Sequence, residues 1–178
     1  IDNFSGTSES ANAINNVNAL RIKSVAPATT GATVNRITNA VDRNFNGVSN
    51  WSDYSPDTSI TFAQSSTGTQ NLTITGTSAT TAEGAQLDYT LISTDGDTTL
   101  LGRKYLVTAV LSHVTDGVDD FRFELCGVKS HSFSINNTAK AYSAIIDLSN
   151  TANPNANTDS GFRIYGENSN TNAWYIDN

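Results

Sequence analysis

The fold is decided by the stretch KYLVTAVLSHV at residues 104–114, near the middle of a chain of 178 residues. Its centre, YLVTAVL, is apolar at nearly every position, so both of the faces between which a β-strand alternates are apolar. A strand of that kind is stable where protein covers both of its faces. We therefore predict that this stretch forms a central strand of a sheet.

Short runs with strand character lie on either side of this stretch. They are alternating or apolar, rich in β-branched and aromatic residues, and separated by Gly, Asn, Asp and Ser, which is typical of antiparallel strands. Two separators, STDGDTT and TDGVDD, contain the Asp-Gly pair that favours a tight turn. The runs are SITFAQ, QNLTITGT, AQLDYTLIS, DFRFELCGV, HSFSIN, AYSAIIDLS, GFRIYGE and AWYID. Their number and spacing predict an all-β fold of two packed antiparallel sheets.

Counting in steps of two assigns faces to two of these runs. In DFRFELC (120–126) the Phe, Phe and Leu side chains share the core face, and in GFRIYGE (161–167) the Phe and Ile side chains do so. If the two strands pair on the concave sheet, their remaining side chains form one charged and aromatic face, which is either a binding groove or an ordinary solvated surface. Those side chains are Arg122, Glu124, Arg163, Tyr165 and Glu167.

The first 40 residues have a different character. Apolar residues recur in SESANAINNVNALRIKSV at helix-like intervals, although Asn is a poor helix former and NALRIKSV fits a strand equally well. The following APATTGAT is typical of a linker. We predict a semi-independent N-terminal arm over 1–40. Because Ile-Asp-Asn occurs at both 1–3 and 176–178, the arm is alternatively the end of a preceding repeat.

Charge and hydropathy argue against two classes of partner. The net charge is −7, and the ten Lys and Arg residues are scattered, so a phosphate backbone is repelled. No apolar run approaches the roughly 20 residues that cross a bilayer as a helix. We expect neither nucleic-acid binding nor membrane insertion.

Sequence motifs of catalysis are absent. The sequence contains no Gly-x-Ser-x-Gly elbow, no His-x-x-x-His pair and no phosphate-cradling Gly-rich loop. The single cysteine, Cys126, lies in the apolar run FRFELCGV, where we expect a buried and inert thiol. We therefore predict that the chain is not an enzyme.

Ordered segments of the chain resemble the jelly-roll carbohydrate-binding modules that are appended to xylanases, laminarinases and cellulases, in families four, nine and twenty-two. They match an opening phrase that ends in Trp, a small-residue turn before Leu-x-Ile, a Gly-x-x-Tyr strand, and a terminal aromatic-aromatic-Ile-Asp-Asn strand. The segments are NFNGVSNW (44–51), GTQNLTITGT (68–77), LLGRKYLVTAVL (100–111) and WYIDN (174–178). The resemblance covers residues 45–178 and implies a jelly-roll sandwich over 41–178, preceded by the arm.

This resemblance implies non-catalytic recognition of a glycan or polysaccharide by a secreted, extracellular or virion-surface protein. The alternative is a structural surface protein, such as a capsid decoration, head fibre or adhesin repeat, that binds only protein neighbours. In that setting residues 1–40 would join a homo-oligomer or dock on the neighbours of a virion or surface lattice.

Sugar recognition needs flat apolar surfaces for the rings and fixed polar groups for the hydroxyls. Trp51 and Tyr54 lie among turn-forming residues in SNWSDYSPD and are candidate platforms, although Trp51 could equally close one end of the sandwich. The predicted charged face adds Arg122, Glu124 and Tyr165. We expect these residues to bind the ligand.

The resembled modules commonly hold a structural calcium ion through an acidic residue after the opening aromatic and through the Asp of the last strand. Here Asp177 is present, but Asn46 replaces the first acid. Calcium gains affinity from carboxylates, so the replacement weakens the site. We expect no obligatory cofactor, and a structural calcium ion held by Asn46 and Asp177 is one candidate. Asp116, Asp119 and Asp120 offer a second cluster of oxygens, for which an acidic turn without an ion is the alternative.

Overall fold

The computed structural model of the chain describes the following residues: 21–25, 35–45, 47, 49–55, 61–64, 71–75, 82–92, 94, 99–113, 119–150, 156, 160–166 and 173–177. These residues form twelve β-strands, one short α-helix and a single turn of 3₁₀ helix. The strands are β1 (Arg21–Val25), β2 (Ser52–Tyr54), β3 (Thr61–Gln64), β4 (Asn71–Thr75), β5 (Glu83–Leu87), β6 (Lys104–His113), β7 (Asp119–Leu125), β8 (Val128–Lys129), β9 (Phe133–Ile135), β10 (Lys140–Asp147), β11 (Phe162–Gly166) and β12 (Ala173–Asp177). The helix is α1 (Ala40–Asn44), and the 3₁₀ turn covers Tyr89–Leu91.

The strands form two antiparallel sheets. Sheet A contains β1, β3, β4, β6, β10 and β12, and sheet B contains β2, β5, β7, β8, β9 and β11. Strands that are consecutive in the chain often change sheet, as β4 and β5 do. The predicted all-β, two-sheet antiparallel sandwich is confirmed.

β6 is the central strand of sheet A, as predicted. β10 runs along one edge of β6 over residues 104–111. The other edge is therefore shared: β1 pairs with residues 104–108, and β12 pairs with residues 110–113. Both β1 and β12 are antiparallel to β6, so they run in the same direction, one beyond the other.

The core lies between the sheets and is filled by the side chains that period-two counting assigned to it. Phe121, Phe123, Phe162 and Ile164 of sheet B are all fully buried. Phe121 meets Trp174 of sheet A, with ring centroids 4.4 Å apart. Contacts of this kind fix which face of each sheet points inward.

One strand of sheet A comes from the predicted arm. Ile22 of β1 is fully buried, and its carbonyl oxygen accepts a hydrogen bond from the Arg36 N–H at 2.7 Å. The local sequence of this segment is compatible with either a helix or a strand. It forms a strand because it can pair with the part of the β6 edge that β12 leaves unpaired. The arm therefore contributes a strand to the sheet, while residues 1–20 and 26–34 lie outside the described residues.

Two predicted runs are interrupted by turns. AQLDYTLIS stops being a strand at Asp88, because the Asp88 carboxylate accepts the Thr90 N–H at 2.8 Å and caps the 3₁₀ turn. DFRFELCGV folds into the hairpin of β7 and β8, with Cys126 at φ 50° and Gly127 at φ 81°. Positive φ at both central residues is the geometry of a type I′ hairpin turn.

Candidate functional site

The outward face of sheet B gathers charged and aromatic side chains by strand register. Tyr54 of β2 lies opposite Gly84 of β5, Gly84 lies opposite Tyr165 of β11, and Tyr165 lies opposite Arg122 of β7. The next row runs from Gln86 through Arg163 and Glu124 to Lys129. The pairing of β7 with β11 confirms the expected juxtaposition. We call this surface the polar face: Tyr54, Gln86, Arg122, Glu124, Lys129, Arg163 and Tyr165.

Arg163 is the centre of the polar face. Its Nη1 donates a hydrogen bond to Glu124 Oε1 at 2.7 Å, which is also an ion pair. Its guanidinium carbon lies 4.3 Å from the centroid of the Tyr54 ring, a cation–π contact. The side chain of Glu124 is only 5% exposed, so this carboxylate depends on Arg163 for its charge partner.

The two tyrosines meet because β5 has no side chain between them. The Tyr54 and Tyr165 rings are 5.5 Å apart in an edge-to-face arrangement. A Cβ atom at Gly84 would lie 2.5 Å from the Tyr165 Cβ and 2.2 Å from the Ile164 oxygen. The Tyr165 hydroxyl donates to Glu124 Oε2 at 3.4 Å, which ties the ring to the ion pair.

The flanks of the polar face carry two more cations. Arg122 Nη1 donates to the Ser130 carbonyl oxygen at 2.9 Å, so Arg122 holds the segment that follows β8. The exposed Lys129 places its Nζ 5.8 Å from the centroid of the Tyr165 ring. On the other side, Gln86 Nε2 donates to the Asp53 carbonyl oxygen at 3.2 Å.

Burial divides the polar face into supporting and accessible residues. Tyr165 and Glu124 are 3% and 4% exposed, whereas Tyr54, Gln86, Arg122 and Arg163 are half-buried. The buried pair therefore supports the arrangement from below. The accessible part consists mainly of Tyr54, Arg163, Gln86 and Lys129. The sequence indicated Arg163 as part of this face, but Gln86 and Lys129 were found only through strand register.

Trp51 does not fit the predicted platform role. Its ring is only 4% exposed and packs between Phe45 and Phe162, at centroid distances of 5.8 and 6.0 Å. Its Nε1 donates to the Asp42 carbonyl oxygen at 2.7 Å. The alternative, in which Trp51 is part of the sandwich core, is the arrangement that the structure shows.

The two residues predicted to hold a structural calcium ion are Asn46 and Asp177. Asn46 lies outside the described residues, and Asp177 is described only through its backbone in β12. Across the part of the chain that is described, no group of three or more His, Cys, Asp and Glu side chains is placed to hold a metal ion. In α1, the Asp42 carboxylate is buried and accepts the Asn50 N–H at 2.7 Å.

Helices in the described ranges are too short to cross a membrane.

Comparisons with known proteins find solved structures that are similar at low sequence identity. No family model matches the chain, and no curated protein matches it. One similar solved structure is BiXyn10A CBM1 in its apo form, at TM-score 0.43 and 14% identity, covering 71% of this chain and 85% of that chain. Another is the family 11 carbohydrate-binding module of the cellulosomal cellulase Lic26A-Cel5E of Clostridium thermocellum, at TM-score 0.41 and 18% identity, covering 76% of this chain and 88% of that chain. The class that the strand pairing itself defines is a two-sheet antiparallel β-sandwich.

Proposed function

We propose that this chain is a non-catalytic recognition domain that binds a glycan through the polar face, at an extracellular or virion surface. The observation that carries the proposal is the arrangement of Arg163, which lies on the Tyr54 ring while Glu124 fixes its guanidinium. Sugar binding needs an apolar ring surface beside hydrogen-bonding groups that are already held in place. Both are present here, because the guanidinium carbon of Arg163 lies 4.3 Å from the centroid of the Tyr54 ring.

The members of the polar face have different roles in this proposal. Tyr54 offers ring surface to the C–H groups of a sugar, and the donors of Arg163 that Glu124 does not use bind its hydroxyls. Glu124 and Tyr165 are buried, so they position Arg163 and Tyr54. Arg122 shapes one flank through its bond to the Ser130 carbonyl oxygen.

The absence of catalysis is part of the proposal. Glycoside hydrolysis uses a pair of carboxyl groups, one of which exchanges a proton with the substrate. Glu124, the carboxylate at the centre of the polar face, is buried and accepts bonds from Arg163 and Tyr165. This environment suits a fixed structural acceptor. We expect the bound polysaccharide to be retained without release of reducing ends.

The test compares Tyr54→Ala with Tyr142→Ala in affinity electrophoresis against a panel of polysaccharides. Tyr142 is a matched control, because it is a half-buried tyrosine on sheet A with Lys140 Nζ 5.4 Å from its ring. We expect Tyr54→Ala to weaken binding at least about tenfold, which corresponds to ~1.4 kcal/mol. Tyr142→Ala should bind as the parent chain does.

Two outcomes would contradict the proposal. Equal weakening by both substitutions would mean that the polar face is not the site. A parent chain that retains no polysaccharide, on gels or on a glycan array, would favour the alternative of a structural protein that binds only protein neighbours.

A further inference from the structure

The edges of the two sheets are protected to very different degrees. A free strand edge offers unpaired N–H and C=O groups to another chain, and proteins limit this by keeping edge strands short, charged or covered. In sheet B, the edge strands β2, β8 and β9 have only three, two and three residues. In sheet A, β3 has four residues. β1 is covered, since the Ile22 N–H donates to Asn35 Oδ1 and the Ile22 oxygen accepts from Arg36.

Among the described residues, nothing gives β10 any of these protections. It is eight residues long, and within the described ranges it pairs with β6 alone. The six residues between its ends, AYSAII, include no charge and no proline. The strand therefore presents a long, uncharged edge on the side away from β6.

The same strand carries an exposed apolar side chain. Ile145 is 60% exposed, and among the described residues no other large hydrophobic side chain is exposed. It lies opposite the half-buried Leu106 of β6, while Ala141 lies opposite Val110. Between these two apolar pairs, the Thr108 and Ser143 hydroxyls lie 2.9 Å apart. Ile145 and Leu106 therefore form a separate apolar patch that begins at the free edge.

We propose that β10 is a self-association edge, at which two copies of this chain pair β10 with β10 and continue sheet A from one copy into the other. A second copy fits because a two-fold axis perpendicular to the sheet pairs a strand antiparallel with itself and uses the same patch on both sides. Ile145 then gains contacts from the partner strand. This inference does not rest on glycan binding.

Strand geometry limits the registers of this pair. Directly opposite residues of antiparallel strands point to the same face, so a two-fold axis perpendicular to the sheet passes between one residue of β10 and its symmetry mate. An axis at Ile145 places the two exposed Ile145 side chains opposite each other. Ala144 of each copy then lies opposite Ile146 of the other, so the pair is apolar on both faces.

The test is light scattering over a concentration range from micromolar to millimolar. The parent chain should rise from the 18.9 kDa of one copy to twice that mass. Ile145→Lys should stay at the mass of one copy, because it places a charge against its symmetry mate while leaving the core untouched. Ala63→Lys is the matched control: Ala63 is exposed on β3, at the opposite edge of sheet A, and this variant should dimerise as the parent chain does.

Hydrogen exchange gives a second measurement on the parent chain. Amides of residues 140–147 that point away from β6 should become protected as concentration rises. A mass of one copy throughout the range would overturn the proposal, as would an Ile145→Lys chain that still dimerises. If Ala63→Lys also stayed at the mass of one copy, the added charge and not the β10 edge would explain the loss of dimer, which would contradict the proposal. A mass above that of two copies would contradict a closed two-fold pair.

Discussion

At the scale of single residues, Trp51 illustrates how local sequence can mislead about burial. Its neighbours in the chain, Asn50, Ser52 and Asp53, are polar, which is why it was a candidate for an exposed platform. In the structure Trp51 is buried by contacts with residues outside its own loop. Its ring packs against Phe162, and its indole nitrogen donates a hydrogen bond to the Asp42 carbonyl oxygen. Its role is therefore stability.

Replacing Trp51 by Ala should lower the free energy of unfolding by ~3–5 kcal/mol, because it leaves a cavity in the core. Trp51→Phe keeps most of the ring surface and loses the hydrogen bond to Asp42, so it should cost about 1 kcal/mol. Urea denaturation followed by circular dichroism measures both values. If Trp51→Ala lowered the free energy of unfolding by well below 1 kcal/mol, Trp51 would be exposed and not part of the core.

At the scale of elements, the polar face depends on how closely β5 and β11 approach. Gly84 leaves room for that approach and for the contact between Tyr54 and Tyr165 on either side of it. Any side chain there meets backbone and Cβ atoms, which cannot rotate away.

Gly84→Ala should therefore destabilise the fold by about 1–3 kcal/mol, the usual cost of forcing extra volume into a packed site. Gly47→Ala is the control, since among the described residues its Cβ would meet Val41 Cγ1 alone, at an ordinary 3.5 Å. Chemical denaturation of both variants would show the difference. Equal stability of the two would mean that β5 and β11 are not held at this distance.

The same elements show which features local patterns could predict. Alternation in β7 and β11 correctly separated Phe121 and Phe123 from Arg122 and Glu124, because side-chain direction in a strand is a local property. The burial of Glu124 could not be predicted in this way, since it requires Arg163 from a strand far along the chain. Similarly, the pairing of β1 with β6 could not be predicted, because it depends on which part of the β6 edge β12 leaves unpaired.

At the scale of the whole molecule, calcium binding by Asn46 and Asp177 stays a prediction. If it is correct, adding calcium to chelator-treated protein raises the melting temperature, because an ion that binds only the folded state stabilises it by mass action. Magnesium should have little effect, since it prefers a smaller octahedral site with retained waters. Asp177→Asn should remove the response to calcium. If neither chelator nor calcium changes the melting temperature, the prediction of a structural calcium ion is wrong.

The shared edge of β6 also bears on the order in which the chain folds. One half of that edge pairs with β1 and the other with β12, which come from opposite ends of the described chain. Closing contacts between residues so distant in sequence costs chain entropy before the hydrogen bonds compensate for it, so such pairings form slowly. β6 and β10 belong to neighbouring parts of the chain and can pair earlier. The central strand of sheet A thus has both of its sides satisfied only after these distant segments have paired, and the amides along its shared edge report that step of folding.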